Sequence, residues 1–204
     1  PMTAKLVASV FLVAALGCNA PAFAAGSVEA GQAKSMTCAA CHGVDGNSVN
    51  PEWPSLAGQH ATYITRQLNA FRAGERKNDL MSPMAMILSD EDIADLAAYF
   101  QAQTATGGEA EPSKLAPGQR VFRSGNVAGG VMACAGCHGP NGRGNPGAGY
   151  ASIQGQHATY AAAQLRAYRS GARGTDPNQM MRNVAAQLSD EQIDAVASYL
   201  QGLR

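Results

Sequence analysis

Two short segments of the sequence have the same reactive residues at the same spacing. CAACH occupies residues 38–42 and CAGCH occupies residues 134–138. Two cysteines three positions apart can form a redox-active dithiol, supply half of a zinc site or attach a haem through two thioethers. A histidine directly after the second cysteine favours haem, because the iron needs an imidazole ligand on the face that the thioethers hold. The sequence therefore predicts two covalently bound haem c groups. Their attachment residues are Cys38, Cys41, Cys134 and Cys137.

The composition agrees with a cofactor that fills much of the core. The chain has 204 residues, of which only 6% are aromatic, and 23 are glycine. This is little apolar material for two independent cores of about 80–90 residues each, and a buried porphyrin would supply the missing volume. Four of the five cysteines belong to the two motifs, and the fifth is Cys18. No pair of cysteines remains for a disulfide framework.

The N-terminal segment has the pattern of a secretory signal peptide. A positive charge at Lys5 precedes an apolar run over residues 6–16, and small residues lead up to Ala24. We predict a signal peptide over residues 1–24 and export to the periplasm, since c-type haem is attached outside the bacterial cytoplasm. The apolar run is short for a membrane span, and a lipoprotein signal at Cys18 is a weaker alternative. No later run is long enough to cross a bilayer, and peripheral membrane association stays open.

The two motifs lie within a longer internal repeat. GQHATY occurs at residues 58–63 and again at 155–160, and LSDEDIADLAAYF at 88–100 is matched by LSDEQIDAVASYL at 188–200. Because the matched segments follow one another in the same order, the chain contains a duplicated domain. The segment between the copies is polar with glycine and proline, which is typical of a linker. The predicted organisation is a first domain over 25–103, a linker over 104–113 and a second domain over 114–204.

Each domain has the patterns of a small helical fold. Ser89 and Ser189 are suited to cap helix N-termini, and Gln192 completes a capping box with Ser189. Apolar residues then recur at helical spacing, and no segment alternates as a strand would. In the first domain these apolar residues are Ile93, Leu96, Ala97 and Phe100. We predict an all-α fold made of two tandem haem domains.

The axial ligands of the two irons can be inferred from the repeat. His42 and His138 each supply one ligand, because they belong to the attachment motifs. Met81 and Met181 each lie eight residues before the serine of the shared Leu-Ser-Asp segment. A single methionine is usually core filler. A matched pair within a two-haem repeat instead predicts thioether ligation at the second position of both irons.

Four other residues are alternatives to the methionine pair. Met84 and Met180 are close in sequence, but the other domain has no methionine at the corresponding position. His60 and His157 do recur, so ligation by two histidines is the rival hypothesis. We interpret these histidines as polar caps, propionate partners or interdomain contacts. Because a thioether favours ferrous iron and six-coordinate iron leaves no position for a substrate, the pattern predicts electron transfer.

Several motifs together resemble those of the class I cytochromes c. They are CAACHG, PSLAGQ at residues 54–59, Met81 and the LSDEDIADLAAYF helix. The duplication and the length resemble the dihaem c4 family of periplasmic electron carriers. The resemblance implies two cytochrome c folds about a pseudo-twofold axis, which pass electrons from a respiratory donor complex toward a terminal oxidase. It also implies that the Pro54 carbonyl binds the haem histidine. The second domain departs from this pattern with Ala151, whose backbone carbonyl could still serve.

The charges are distributed unequally between the two copies. Residues 25–110 contain ten acidic and five basic residues, a net charge of −5, and residues 111–204 contain five acidic and nine basic residues, a net charge of +4. Opposite signs would attract the domains to each other and give the molecule a dipole that orients it toward redox partners. The sequence has no basic stripe with interleaved aromatic residues, which is the pattern that would indicate nucleic-acid binding.

Two further functions stay open on the sequence alone. A dihaem peroxidase would need one iron with an open or displaceable ligand, which two methionine ligands do not provide. A dihaem electron-transfer subunit of a flavoprotein or other dehydrogenase would have much the same sequence. The partner alone would distinguish that subunit from an independent electron carrier.

Overall fold

The structure is a computed structural model that describes residues 26–204, and its regular elements are helices. The predicted signal peptide, residues 1–24, lies outside the described residues. In the first half the helices are α1 (Val28–Lys34), α2 (Met36–His42), α3 (Ala61–Arg72), α4 (Met81–Met86) and α5 (Asp90–Ala102). In the second half they are α6 (Pro112–Ser124), α7 (Ala135–His138), α8 (Ala158–Ser170), α9 (Met180–Ala186) and α10 (Asp190–Gly202). Residues 26–204 contain isolated β-bridges but no strand, so the predicted all-α fold is confirmed.

The segment between the two sets of helices makes hydrogen bonds to both halves, since the Thr106 amide donates to the Asn47 side-chain oxygen of the first half over 3.0 Å. Helix α6 begins at Pro112, inside the predicted linker over 104–113. The Gly108 amide donates a hydrogen bond to the Gln201 carbonyl oxygen of α10 over 2.9 Å. The connection is therefore held to the surface of the molecule, and the domain boundaries themselves stay a prediction.

The last helix of each half begins at the predicted cap. The Ser89 hydroxyl accepts from the Asp92 amide at 3.1 Å, and the Asp92 carboxylate accepts from the Ser89 amide at 2.9 Å. Ser189 and Gln192 exchange the same two hydrogen bonds, so the predicted capping box is confirmed. Each pair satisfies two amides that a helix N-terminus leaves unpaired. The predicted apolar face of α5 is buried, and it consists of Ile93, Leu96, Ala97 and Phe100.

The first and last helices of each half cross at a glycine. A β-carbon at Gly31 in α1 would overlap the Asp95 carbonyl of α5, and a β-carbon at Gly118 in α6 would overlap the Ala195 carbonyl of α10. The two backbones therefore approach more closely than any side chain would allow. This crossing joins the beginning of each half to its end and closes the fold around the intervening motif.

Replacing Gly31 by alanine is expected to destabilise the first half. Because the added methyl group would meet backbone rather than a movable side chain, α1 and α5 must separate, at a cost of about 1–3 kcal/mol. Denaturant unfolding of the haem-loaded protein measures the change. Gly136→Ala is the control, since its β-carbon would meet no atom within 4 Å and alanine stands at the matching position, Ala40. Equal stability losses in the two variants would contradict the close crossing.

Candidate functional site

The first predicted iron ligand, His42, is the last residue of α2 and is buried. Its Nδ1 lies 2.8 Å from the Pro54 carbonyl oxygen. Since a carbonyl can only accept, Nδ1 bears the proton, and Nε2 keeps the lone pair that a metal ligand needs. Burial lowers the pKa of His42, although the bond to Pro54 acts in the opposite direction. The side chain is therefore a neutral imidazole held in one orientation.

The second predicted ligand, His138, is held in the same way at the end of α7. Its Nδ1 donates to the Ala151 carbonyl oxygen over 2.8 Å, and burial again lowers its pKa. The backbone carbonyl therefore serves here without the proline of the first half. Two hydrogen bonds between Asn145 and Tyr150, of 3.0 and 2.9 Å, close the turn that leads into Ala151. These bonds constrain the backbone next to Ala151, where the second half has no proline.

The cysteines of the motifs have the environment of attachment sites rather than of a redox dithiol. Cys38 and Cys134 are half-buried and pack against the apolar core of their own half. Burial raises the pKa of Cys38 and raises that of Cys134 to about 11. A dithiol enzyme needs the opposite shift, because the thiolate is its nucleophile. Residues 26–204 also contain no group of three or more His, Cys, Asp or Glu side chains placed to hold a metal ion by themselves.

The predicted methionine of the first half lies at the start of a short helix. Met81 is the first residue of α4 and is half-buried, whereas Met84 is 39% and Met86 is 67% exposed. The Asn78 side-chain oxygen accepts from the amides of Leu80 and Met81 at 3.1 and 2.9 Å. Asn78 thus caps the turn that presents Met81. Met81 is thus less exposed than either neighbouring methionine of α4.

The corresponding loop of the second half has a different construction. Met181 is the second residue of α9 and is half-buried, as is Met180. The buried Asp176 carboxylate accepts from the Arg182 amide at 3.0 Å and from its Nε at 2.8 Å. This ion pair replaces the neutral cap of the first half. Ligation by Met81 and Met181 stays a prediction.

The two recurring histidines outside the motifs bind the opposite half of the molecule. His60 Nε2 donates to the Arg143 carbonyl oxygen over 2.7 Å, and His157 Nε2 donates to the Ser48 carbonyl oxygen over 2.7 Å. Both rings are thus interdomain contacts, one of the three roles considered from the sequence. Their Nε2 atoms are occupied by backbone carbonyls, which disfavours ligation of iron by two histidines.

The interface also contains a buried cation that fits a carboxylate-bearing cofactor. The guanidinium of Arg173 is buried, and its Nε has no hydrogen-bond partner among the described residues. Arg66 Nε and the Thr175 hydroxyl oxygen are also buried atoms without a hydrogen-bond partner among the described residues. The partners of the other Arg173 nitrogens are neutral: Tyr63, Gln67 and Gln164. Because buried charges are normally paired, these orphaned donors fit the propionate groups of a haem.

Sequence reasoning did not identify these interface residues as functional. Arg173 has a counterpart in Arg76, which donates to Gln67, Tyr160 and Gln164. The available signal was the recurrence of an arginine two residues after the matched glycines at 74 and 171. Recurrence of a charged residue does not show that it is buried, so the pattern alone indicated only surface charge.

The protein family of the chain follows from its similarity to known proteins. The model of the family described as "Cytochrome c" matches twice, over residues 28–104 and 115–204. The chain belongs to the cytochrome c family. It is 46% identical over 206 residues to cytochrome c4 of Azotobacter vinelandii, covering 96% of this chain and 98% of that protein. Reduced recombinant cytochrome c4 from Pseudomonas stutzeri matches with a TM-score of 0.86 and 46% identity, covering 88% of this chain and 100% of that one.

This cytochrome c is of the c4 type, with two tandem cytochrome c domains and two covalently bound haem c groups. It is an electron carrier, not an enzyme. A further relative is the "Thiosulfate dehydrogenase electron acceptor" of Stutzerimonas stutzeri strain A1501, 40% identical over 169 residues, which cover 80% of this chain and 77% of that protein. Among the described residues of this cytochrome, none of the helices has the length and apolar character of a membrane span.

Proposed function

We propose that this cytochrome carries single electrons through the periplasm from a respiratory donor complex to a terminal oxidase. The observation that supports this function best is that both motif histidines are held in the same way. Nδ1 of His42 and Nδ1 of His138 each lie 2.8 Å from a backbone carbonyl oxygen. Thioethers to Cys38, Cys41, Cys134 and Cys137 attach the two haems. His42 with Met81 ligates one iron, and His138 with Met181 ligates the other. The periplasmic location follows from the predicted signal peptide over residues 1–24.

The residues of each site hold the haem in a state suited to electron transfer. When bound, the haem supplies a one-electron change between ferric and ferrous iron. The Nδ1–H bond fixes the tautomer of His42 or His138 and increases the basicity of the imidazole. The methionine thioether balances this by favouring the ferrous state. With a histidine and a methionine of this chain as its ligands, a bound haem would have no open position for a substrate, which would suit it to electron transfer.

A dehydrogenase is the second candidate partner. The relative named "Thiosulfate dehydrogenase electron acceptor" shares 40% identity with this chain. In this alternative the cytochrome would be the electron-transfer subunit of a dehydrogenase rather than a free carrier. The fold and the sites would be the same in both cases, because the difference lies in the surface that the partner contacts.

Two measurements test the function and separate the candidates. Reduced cytochrome is mixed with membranes that contain a cyanide-sensitive terminal oxidase, and its reoxidation is followed at the haem absorption bands. Gentle purification then shows whether the cytochrome travels alone or with a catalytic subunit. Rapid, cyanide-sensitive reoxidation of a freely migrating protein supports the carrier. Slow reoxidation together with a co-purifying dehydrogenase would favour the second candidate.

The unequal charges predict that the first haem has the lower reduction potential. Ferric haem bears one more positive charge than ferrous haem, so the net charge of −5 around His42 stabilises the ferric state, and the +4 around His138 destabilises it. Salt screens these charges over a Debye length of roughly 8–10 Å, so the two potentials should differ by only tens of millivolts. For one electron, about 59 mV corresponds to a tenfold change in the equilibrium constant. Electrons should then enter at the first domain and rest on the second.

Redox titration at two ionic strengths checks this order. The two waves are assigned with the Met81→Ala and Met181→Ala variants, and the gap between them should narrow as salt is added. A His138 haem with the lower potential, or a gap that salt does not change, would show that the net charges of the domains do not set the order.

A further inference from the structure

The peptide units that hold the two haem histidines also face the interface between the domains. The peptide between Pro54 and Ser55 contains both the carbonyl that accepts from His42 and the Ser55 amide. That amide donates to the side-chain oxygen of Gln156, in the opposite domain, over 3.0 Å. Gln156 Nε2 donates in turn to the Ser55 carbonyl oxygen over 2.9 Å. A single planar peptide thus connects a glutamine of the second domain to the histidine of the first.

The reciprocal connection exists on the other side of the interface. The peptide between Ala151 and Ser152 accepts from His138 through its carbonyl, and its amide donates to the side-chain oxygen of Gln59 over 2.9 Å. Gln59 Nε2 donates to the Ser152 carbonyl oxygen over 2.7 Å, and the Gln59 side chain is buried. The two connections are reciprocal, since each domain supplies one glutamine and one peptide that binds a histidine.

Each glutamine amide is fixed in one orientation. The side-chain oxygens of Gln59 and Gln156 also accept from the next backbone amide, of His60 and His157 respectively, at 3.0 Å in both cases. An amide turned by half a rotation would place its NH₂ against two amide donors, so this alternative is excluded. The imidazoles of the same two histidines hold the opposite domain at 2.7 Å. The glutamines are therefore rigid hydrogen-bond partners rather than mobile surface groups.

We propose that each glutamine is a positioning residue for the haem of the opposite domain: Gln156 for the iron at His42, and Gln59 for the iron at His138. An acceptor on the amide N–H polarises the whole peptide and makes its carbonyl a stronger acceptor. A stronger bond to the histidine Nδ1–H makes the imidazole a better donor to iron, which stabilises the ferric state and lowers the potential. The interface thereby tunes each haem from across the domain boundary.

This inference rests on the proposed ligation of the irons by His42 and His138, and it predicts a crossed result. In Gln156→Leu the Pro54–Ser55 peptide loses its acceptor, so the potential of the His42 haem should rise while that of the His138 haem stays unchanged. Gln59→Leu should do the reverse. The expected change is about a threefold to tenfold shift in the oxidised-to-reduced ratio, at most about 59 mV for one electron.

Spectroelectrochemical titration of the dihaem protein tests the proposal. The two redox waves are assigned by their shifts in the Met81→Ala and Met181→Ala backgrounds. NMR of the ferric protein follows the exchange of each histidine Nδ1 proton with solvent. This exchange should become faster only for the haem histidine in the domain opposite the substituted glutamine. Tyr160→Phe is the control, because it removes an interface hydrogen bond to Arg76 without touching either peptide. Gln156→Met, which keeps the chain length, replaces the leucine variant if that variant fails to retain both haems.

The outcomes separate this proposal from the function on which it rests. A parent protein without two low-spin, histidine-ligated haems would contradict the ligand assignment before any glutamine variant is compared. With that ligation intact, three results would overturn the crossed positioning: a shift in the glutamine's own domain, equal shifts in both haems, or no shift. A change of the same size in Tyr160→Phe would also overturn it, since general loosening of the interface would then be the cause.

Discussion

Replacing Met81 by alanine is expected to remove about half of the sulfur-to-iron charge-transfer absorption of the ferric protein, and Met181→Ala is expected to remove the other half. Each variant should leave one iron five-coordinate or bound by water, so that carbon monoxide binds that haem when it is reduced. The potential of the affected haem should fall, because the thioether that favours ferrous iron is gone. Optical spectra in the region of the charge-transfer band, with and without carbon monoxide, measure both effects.

The neighbouring methionines provide matched controls. Met84 is 39% exposed on α4, and Met180 directly precedes Met181 on α9. Met84→Ala and Met180→Ala should leave the charge-transfer band intact and both haems closed to carbon monoxide. If either of these variants loses the band instead, the substituted methionine is the ligand in that domain. The ligand assignment from the two Leu-Ser-Asp segments would then be wrong there.

Removing both cysteines of one motif is expected to halve the covalent haem content. In the double variant Cys134→Ala, Cys137→Ala the second domain has no thiol to form a thioether, while Cys38 and Cys41 still attach the first haem. A denaturing gel stained for haem, with a pyridine haemochrome count per chain, should fall from two haems to one. The second domain should also unfold at a lower temperature, since the apolar cluster that Cys134 packs against would lose the haem that we expect to complete it.

The reciprocal variant provides the control for this experiment. Cys38→Ala with Cys41→Ala should likewise leave one covalent haem, now in the second domain. Two covalent haems in either double variant, or haem that acid acetone extracts from the parent, would contradict attachment through these four cysteines.

The helices and the motif residues could be predicted from the sequence because local chemistry determines them. Ser89 and Ser189 begin helices as expected, since a cap needs only a hydroxyl and a partner three residues later. The reciprocal box of Ser89 with Asp92 was not predicted, because the usual partner is Glu or Gln, and here the shorter aspartate reaches the same amide. His42 and His138 could be assigned from their place in the motifs alone.

The interface could not be predicted, because its contacts join residues about a hundred positions apart. Gln59 and Gln156 stand beside His60 and His157 in the repeated GQHATY segment, and the repeat marked all four equally. Only the packing of the domains shows that the glutamines face the peptides of the opposite haem site. In the same way, a charge count could not show that Arg173 is buried and that its contacts among residues 26–204 include no acidic side chain.

The glycine crossings of the first and last helices also bear on the order in which the protein is assembled. Gly31 meets Asp95, and Gly118 meets Ala195, so each contact joins the two ends of a domain. Such contacts require both ends of the domain to be present, and closing the long loop between them has an entropic cost. As the chain emerges with its N-terminus first, the cysteines of each motif become available well before the last helix of that domain arrives. We therefore expect the thioethers to form before the first and last helices of the domain pack together. Packing of the last helix would then enclose the haem.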